Sequence, residues 1–291
     1  MGHSLGRQIW DNGLASIATA AFAFSVSSSL VRPVDTNISV FELVFIRSLL
    51  SMGLSLLVDA SHRGRFRVGS ETNPSIDVDE TSRPLFGRRE NFPLLLLRGL
   101  SGALAMNVYY ASIQRLLLAE ALALLFLNPA VVAVLAYIVL DERLTVKQVG
   151  GIAASLVGMI LVVRPPLGSG ESWSVSRAWG VAFGVMSAFL AAVAYITIRK
   201  IGKAESSLTI AVYFHSTALA TSIIGFIFGI AGARVVVPRL VPDALCMVLI
   251  APCSFVAQLL ISRGFQLSRA AVAAAVNYLQ VCCMMFELHV P

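Results

Sequence analysis

Apolar residues in this chain come in blocks of roughly 20, each closed by a short polar connector. That is the length at which an α-helix crosses about 30 Å of hydrocarbon. The blocks predict spans over 13–31, 38–58, 93–114, 119–140, 146–164, 179–198, 208–231, 243–262 and 268–287. The fold class that follows is all-α, a polytopic transmembrane helix bundle of about nine spans. Ala18-Thr19-Ala20 and Ala21-Phe22-Ala23 in the first block mimic a signal-peptidase site. However, that block exceeds the roughly 7–15 residues of a cleaved signal core, and further spans follow, so it reads as a helix that stays.

Composition agrees with the pattern. Hydrophobic residues make up 57% of the 291 positions and charged residues 13%, about half the charged share of a soluble domain. The net charge of +6 sits in the connectors, with no basic stripe interleaved with aromatics, so nucleic acid is excluded as a partner. With the N-terminus in the cytoplasm, 14 Lys and Arg residues fall on that side: Arg7, Arg63, Arg65, Arg67, Arg83, Arg88, Arg89, Arg143, Lys147, Arg199, Lys200, Lys203, Arg263 and Arg269. Six fall on the other: Arg32, Arg115, Arg164, Arg177, Arg234 and Arg239. The bias places the N-terminus in the cytoplasm of a multi-pass membrane protein; nothing in it identifies the organelle. The long connector 59–92 is basic at both ends, acidic and proline-containing between, and reads as a disordered cytoplasmic loop. Cys246, Cys253, Cys282 and Cys283 lie in apolar blocks without metal-ligand spacing. They read as small buried hydrophobes, and no metal or cofactor is expected.

The chain also echoes itself. Gln114, Ala119 and Leu127-Asn128 return in order as Gln266, Ala271 and Leu279-Gln280, and Val44-Phe45-Ile46-Arg47-Ser48 returns as Val212-Tyr213-Phe214-His215-Ser216. Helices 1–4 are thus repeated by helices 6–9. A first unit with five spans inverts the second, the arrangement of many alternating-access carriers. The expected organisation is a first repeat over 1–165 and a second, of four helices, over 178–291. The counterpart of Asp141-Glu142-Arg143 would fall beyond Pro291, so the second repeat reads as incomplete, lacking a tenth helix.

Several stretches carry a family likeness. They are Phe41-Glu42-Leu43-Val44-Phe45-Ile46-Arg47-Ser48, Pro84-Leu85-Phe86-Gly87-Arg88-Arg89-Glu90-Asn91 leading to Leu97-Arg98-Gly99, Asn107-Val108-Tyr109-Tyr110-Ala111, Phe126-Leu127-Asn128-Pro129 and Asp141-Glu142-Arg143-Leu144. The chain resembles the EamA-domain members of the drug/metabolite transporter superfamily, and within them the G-type branch of solute carrier family 35. The resemblance implies ten helices in two inverted five-helix repeats, a central substrate cavity, and export or exchange of a small metabolite.

Arg47 lies near the middle of the second span, where an unpaired charge costs at least about 2.5–3.5 kcal/mol. Such a residue faces a cavity or a counter-charge. Glu42 is set roughly 140° around the helix from it, which disfavours an intimate pair, so Arg47 is assigned to the solute path and favours an anionic solute. His215, at the repeat-related place, reads as either a cavity residue or a satisfied core histidine. Asn128-Pro129 frees backbone polar groups in the fourth span, as a binding-site break or a packing kink. Asn277, Tyr278 and Gln280 stand opposite by the repeat. Glu42 and Glu120 read as either interfacial carboxylates or ion-coupling groups. Tyr109, Tyr110 and Gln114 read as an interfacial belt, and Arg98 as a residue that snorkels to the cytoplasmic surface. Gly150-Ala154-Gly158, Gly180-Gly184-Ala188-Ala192 and Thr217-Thr221-Gly225-Gly229 are packing rows of small residues.

These residues make no catalytic set, so the chain is not expected to be an enzyme, and no GxxxxGK[ST] loop is present for ATP-driven pumping. The expected function is secondary-active transport or exchange of a small metabolite by alternating access, with a small-molecule solute and membrane lipid as partners. The alternative is a non-transporting, truncated membrane paralogue, or a partner subunit completed in trans by a second copy or another chain.

Overall fold

The computed structural model describes residues 2–30, 39–69, 85–125, 127–163, 174–229 and 241–280. The first half forms α1 (Gly2–Asp11), α2 (Gly13–Ser29), α3 (Val40–Gly69), α4 (Phe92–Ile113), α5 (Leu118–Leu125), α6 (Asn128–Leu140) and α7 (Val146–Val163). The second forms α8 (Val175–Ile201), α9 (Ser207–Ile227), α10 (Val241–Leu267) and α11 (Ala270–Asn277), with single 3₁₀ turns at Arg89–Asn91 and Gly202–Ala204. Among the described residues there is no strand. Five helices, α3, α4, α8, α9 and α10, are long and apolar enough to cross a membrane, with α2 and α6 as shorter apolar helices. The chain is an all-α integral membrane bundle.

Local chemistry sets the helix ends. Asn12 Oδ1 accepts the backbone N–H groups of Leu14 and Ala15, capping α2. Proline stands in the first turn of both α4 and α6, where its missing N–H costs nothing. Pro129 therefore ends one helix and starts the next, and the expected block 119–140 is two helices, not one. Ser174 and Ser206 cap α8 and α9 by accepting from the amides of Arg177 and Thr209. Asp141 closes α6 in the left-handed region at φ 55°, its N–H bonded to the Ala136 carbonyl.

Two further boundaries differ from the sequence reading. α1 was not foreseen: it is short and only half apolar, below the length at which a block registers. It is held by tertiary contact, with Arg263 stacked over the Trp10 ring at 5.2 Å and Ser16 Oγ donating to the Ile9 carbonyl at 2.7 Å. The connector 59–92 is in part ordered. α3 continues to Gly69, so Arg63, Arg65 and Arg67 are helical, and 85–91 is folded against the bundle; 70–84 lies outside the described residues.

The main packing partners join elements on either side of the 164–173 connector. α4 runs along α8 and α9, α2 along α10, α3 against α9 and α10, and α6 against α8 and α11. Close approach uses small residues. A Cβ on Gly264 would lie 2.2 Å from Ile17 Cγ1, and one on Gly184 2.2 Å from Leu124 Cδ1. Gly225 similarly abuts the Phe41 ring, while Gly150 and Gly151 face open space. The row on α8 and the α9 row as far as Gly225 thus pack closely, whereas Gly229 and the row on α7 do not, α7 lying at the bundle's edge. The surface is rich in exposed Leu, Ile, Val and Phe, and the interior holds Arg98, Glu42, His215, Gln258 and many serines. This is the inside-out distribution of a chain dissolved in lipid.

Candidate functional site

A cavity of about 250 Å³ lies between the helices, lined from nearly every span. The first turn of α6 presents Asn128 and Pro129 to it. Asn277, Tyr278 and Gln280 meet it from α11 and beyond, and Arg47 reaches it from α3. Five of the six residues assigned to the solute path are therefore brought together, by helices more than 60 residues apart in sequence.

His215 is the exception. It is fully buried, edge-on to Phe214 at 5.3 Å, and Phe214 lines the cavity in its place. Successive helical residues point about 100° apart, so the repeat finds the right turn but not the facing side chain. Both ring nitrogens of His215 lack a hydrogen-bond partner among the described residues.

Two residues set aside by sequence reasoning do line the cavity. Tyr109 is one, whereas Gln114 is exposed as a belt residue would be. Arg98 is the other, and it does not snorkel. Its side chain is 2% exposed, Nη2 donates to Gln258 Oε1 at 3.1 Å, and the guanidinium lies over the Phe214 ring at 5.1 Å. It turns inward because Gly102, one turn on, leaves the space: a Cβ there would stand 2.3 Å from Arg98 Nη1. The Arg98-x-x-x-Gly102 spacing was the available signal.

Arg47 is half-buried, and Nη2 points at Met106 Sδ, 2.7 Å away, a weak acceptor. Among the described residues no carboxylate pairs with Arg47 or Arg98, and Nε of each is buried without a partner. Asn277 Oδ1 is likewise unpartnered, while its Nδ2 reaches Tyr195 Oη at 3.5 Å. Neither carboxylate considered for coupling lines the cavity. Glu120 is tied to Arg177 at 2.5 Å, and Glu42 is buried in the first turn of α3.

Towards one end of the bundle two layers lie beside the cavity. Tyr195, in the wall, stacks flat on buried Phe265 at 4.4 Å, within an apolar cluster that includes Leu95, Val132, Ile198 and Ile210. Beyond it lies a polar latch. Glu142 accepts from Arg199 Nε at 3.0 Å through one oxygen and from the Ala270 amide at 3.0 Å through the other. Arg199 Nη1 also donates to the Gln266 carbonyl at 3.1 Å, and Arg269 donates to the Arg143 carbonyl. Beside this, buried Glu205 accepts from the Arg88 amide and Asn91 Nδ2 at 2.9 and 2.7 Å. Gln266 Nε2 donates to the Glu205 carbonyl, and Ser207 Oγ donates to Gln266 Oε1. The ends of α4, α6, α8, α9, α10 and α11 are thereby fastened together. The opposite end has the Glu120–Arg177 pair and a bond from Ser112 Oγ to the Gly180 carbonyl at 2.8 Å. Sequence reasoning placed no role on Glu142; only its part in the family likeness marked it.

Residues 11–164 match the model of the EamA-like transporter family. The chain is similar to the pseudopaline exporter CntI of Pseudomonas aeruginosa, 24% identical over 93% of this chain and 84% of that one. It is also similar to solute carrier family 35 member G1 of Mus musculus, 26% identical over 92% of this chain and 68% of that one. A protein of known crystal structure superposes with a TM-score of 0.68 at 15% identity, covering 95% of this chain and 88% of its own, a likeness that shows the fold.

Proposed function

The chain belongs to the EamA-like transporter family, and from that premise we propose that it is a secondary-active carrier moving a small metabolite by alternating access. One observation carries this reading. A cavity at the centre of an apolar-surfaced bundle sets two arginines and several amides in a mainly apolar wall drawn from both halves, with an apolar cluster and an ion-paired latch towards one end. A volume of about 250 Å³ is just below the roughly 300–1,000 Å³ of drug-sized sites, which suits a compact metabolite. The names of the relatives, an exporter and a solute carrier, agree with the class.

In this reading residues 1–165 and 178–291 are inverted repeats that rock against each other. Arg47, Asn128, Asn277, Tyr278 and Gln280 contact the solute, and His215 supports the wall from behind. The excess of Lys and Arg puts the latch end in the cytoplasm, so the conformation is closed to the cytoplasm. Glu42, buried in the first turn of α3, is the acid proposed for ion coupling. Purified protein in liposomes, with no ATP, should accumulate one member of a panel of labelled small metabolites. Arg47→Ala should abolish that flux while inserting normally. Absence of flux across the panel in the intact protein would favour a non-transporting role.

A further inference from the structure

The solute path carries a second guanidinium, and its setting specifies what the solute must bring. Arg98 is held on two sides, by Gln258 Oε1 and by the Phe214 ring, and neither neutralises its charge. Gly102 leaves room that any side chain would take from the guanidinium. Arg47 stands in the same cavity wall against a sulfur atom. Among the described residues no Asp or Glu lines the cavity, and Nε of both arginines is buried and unpartnered. Two like charges in a wall of low dielectric repel each other and have lost much of their hydration. An anion spanning both relieves the two costs together, and guanidinium forks are suited to carboxylate oxygens.

Resting on the carrier reading for its movement, we infer that the solute is a compact organic dianion whose two carboxylates meet Arg47 and Arg98, and that Arg98 sets selectivity for the second charge. A monocarboxylate leaves one guanidinium uncompensated, and an amine or a zwitterion meets a repelling wall.

The test is binding, read without transport. The full chain in neutral detergent is titrated with malonate, succinate and glutarate, and with acetate at matched ionic strength, following thermal unfolding. At least one dicarboxylate should saturate at a concentration ~10-fold or more below acetate, the difference expected of one charge-assisted contact. Arg98→Gln should bring that dicarboxylate and acetate within about threefold of one another, and Arg98→Lys should restore part of the gap. Should Arg98→Gln unfold, Gly102→Ala, which displaces the guanidinium, carries the same expectation. Equal responses to dicarboxylates and acetate in the intact protein overturn the inference, and so does a preference that survives loss of the Arg98 charge. Dianion binding without liposome flux would defeat the carrier reading and leave this site standing. Flux with no dianion preference would do the reverse.

Discussion

The cavity and the latch both hold charged side chains inside an apolar bundle, and they treat charge in opposite ways. In the latch, Glu142 is met by Arg199 and by the amide that opens α11, and the second donor of Arg199 meets a carbonyl. In the cavity, Arg47 and Arg98 face a sulfur, an amide oxygen and an aromatic ring, with no carboxylate among the described residues. The latch charges are compensated among the described residues, whereas the cavity charges are not. On the proposed carrier reading the first serve closure and the second recognition, and variants should separate the two.

The largest effect is expected from Arg47→Ala. Removing one partner of a desolvated charge contact costs about 2–5 kcal/mol, so solute flux should fall ~30-fold or more while thermal stability without solute holds or rises. A stability loss with unchanged flux would move Arg47 from recognition to structure. Gly102→Ala comes next. Its Cβ would stand 2.3 Å from Arg98 Nη1, and the displaced fork should lower apparent affinity by about 10-fold through a single charged contact, as measured by the concentration dependence of flux.

Glu142→Gln should act on closure instead. It leaves the Ala270 amide an acceptor but removes the ion pair, a loss of about 1–2 kcal/mol for a partly buried charged contact. A reporter cysteine at Ser187, in the cavity wall, should then become more reactive to a thiol reagent applied from the latch side. The exchanged pair Glu142→Arg with Arg199→Glu should recover part of the protection, and failure of the exchange to recover any would show that the pair does not gate. The smallest effect belongs to Glu120→Gln. Arg177 is 36% exposed in that pair, and exposed pairs contribute about 0–1 kcal/mol, so both flux and unfolding temperature should stay close to those of the unchanged protein.

How much of this could be read in advance depended on the kind of information each residue needed. Arg47 was found because a lone charge at mid-span is costly wherever it points. Asn128 was found because Asn-Pro breaks a helix by its own covalent chemistry. Arg98 was misread for the opposite reason: six residues into a helix, it could reach the surface or turn inward, and Gly102 together with Gln258 and Phe214 decided the matter. His215 was misplaced by about one residue's rotation, since an internal repeat conserves the turn without conserving the angle about the helix axis.

The amino-acid pattern on its own set the solvent, most of the helices and the family likeness. All of these follow from local properties: the length of an apolar run, the backbone preferences of proline and asparagine, and the cost of a charge in hydrocarbon. Which side chains share a cavity was decided only when α4, α8 and α10 packed. So was the meeting of Glu142 with Arg199 and the N-terminus of α11. Periodicity fixes a residue's height along a helix, but its neighbours depend on how that helix is rotated against others, and this is settled by the fit of all the helices at once.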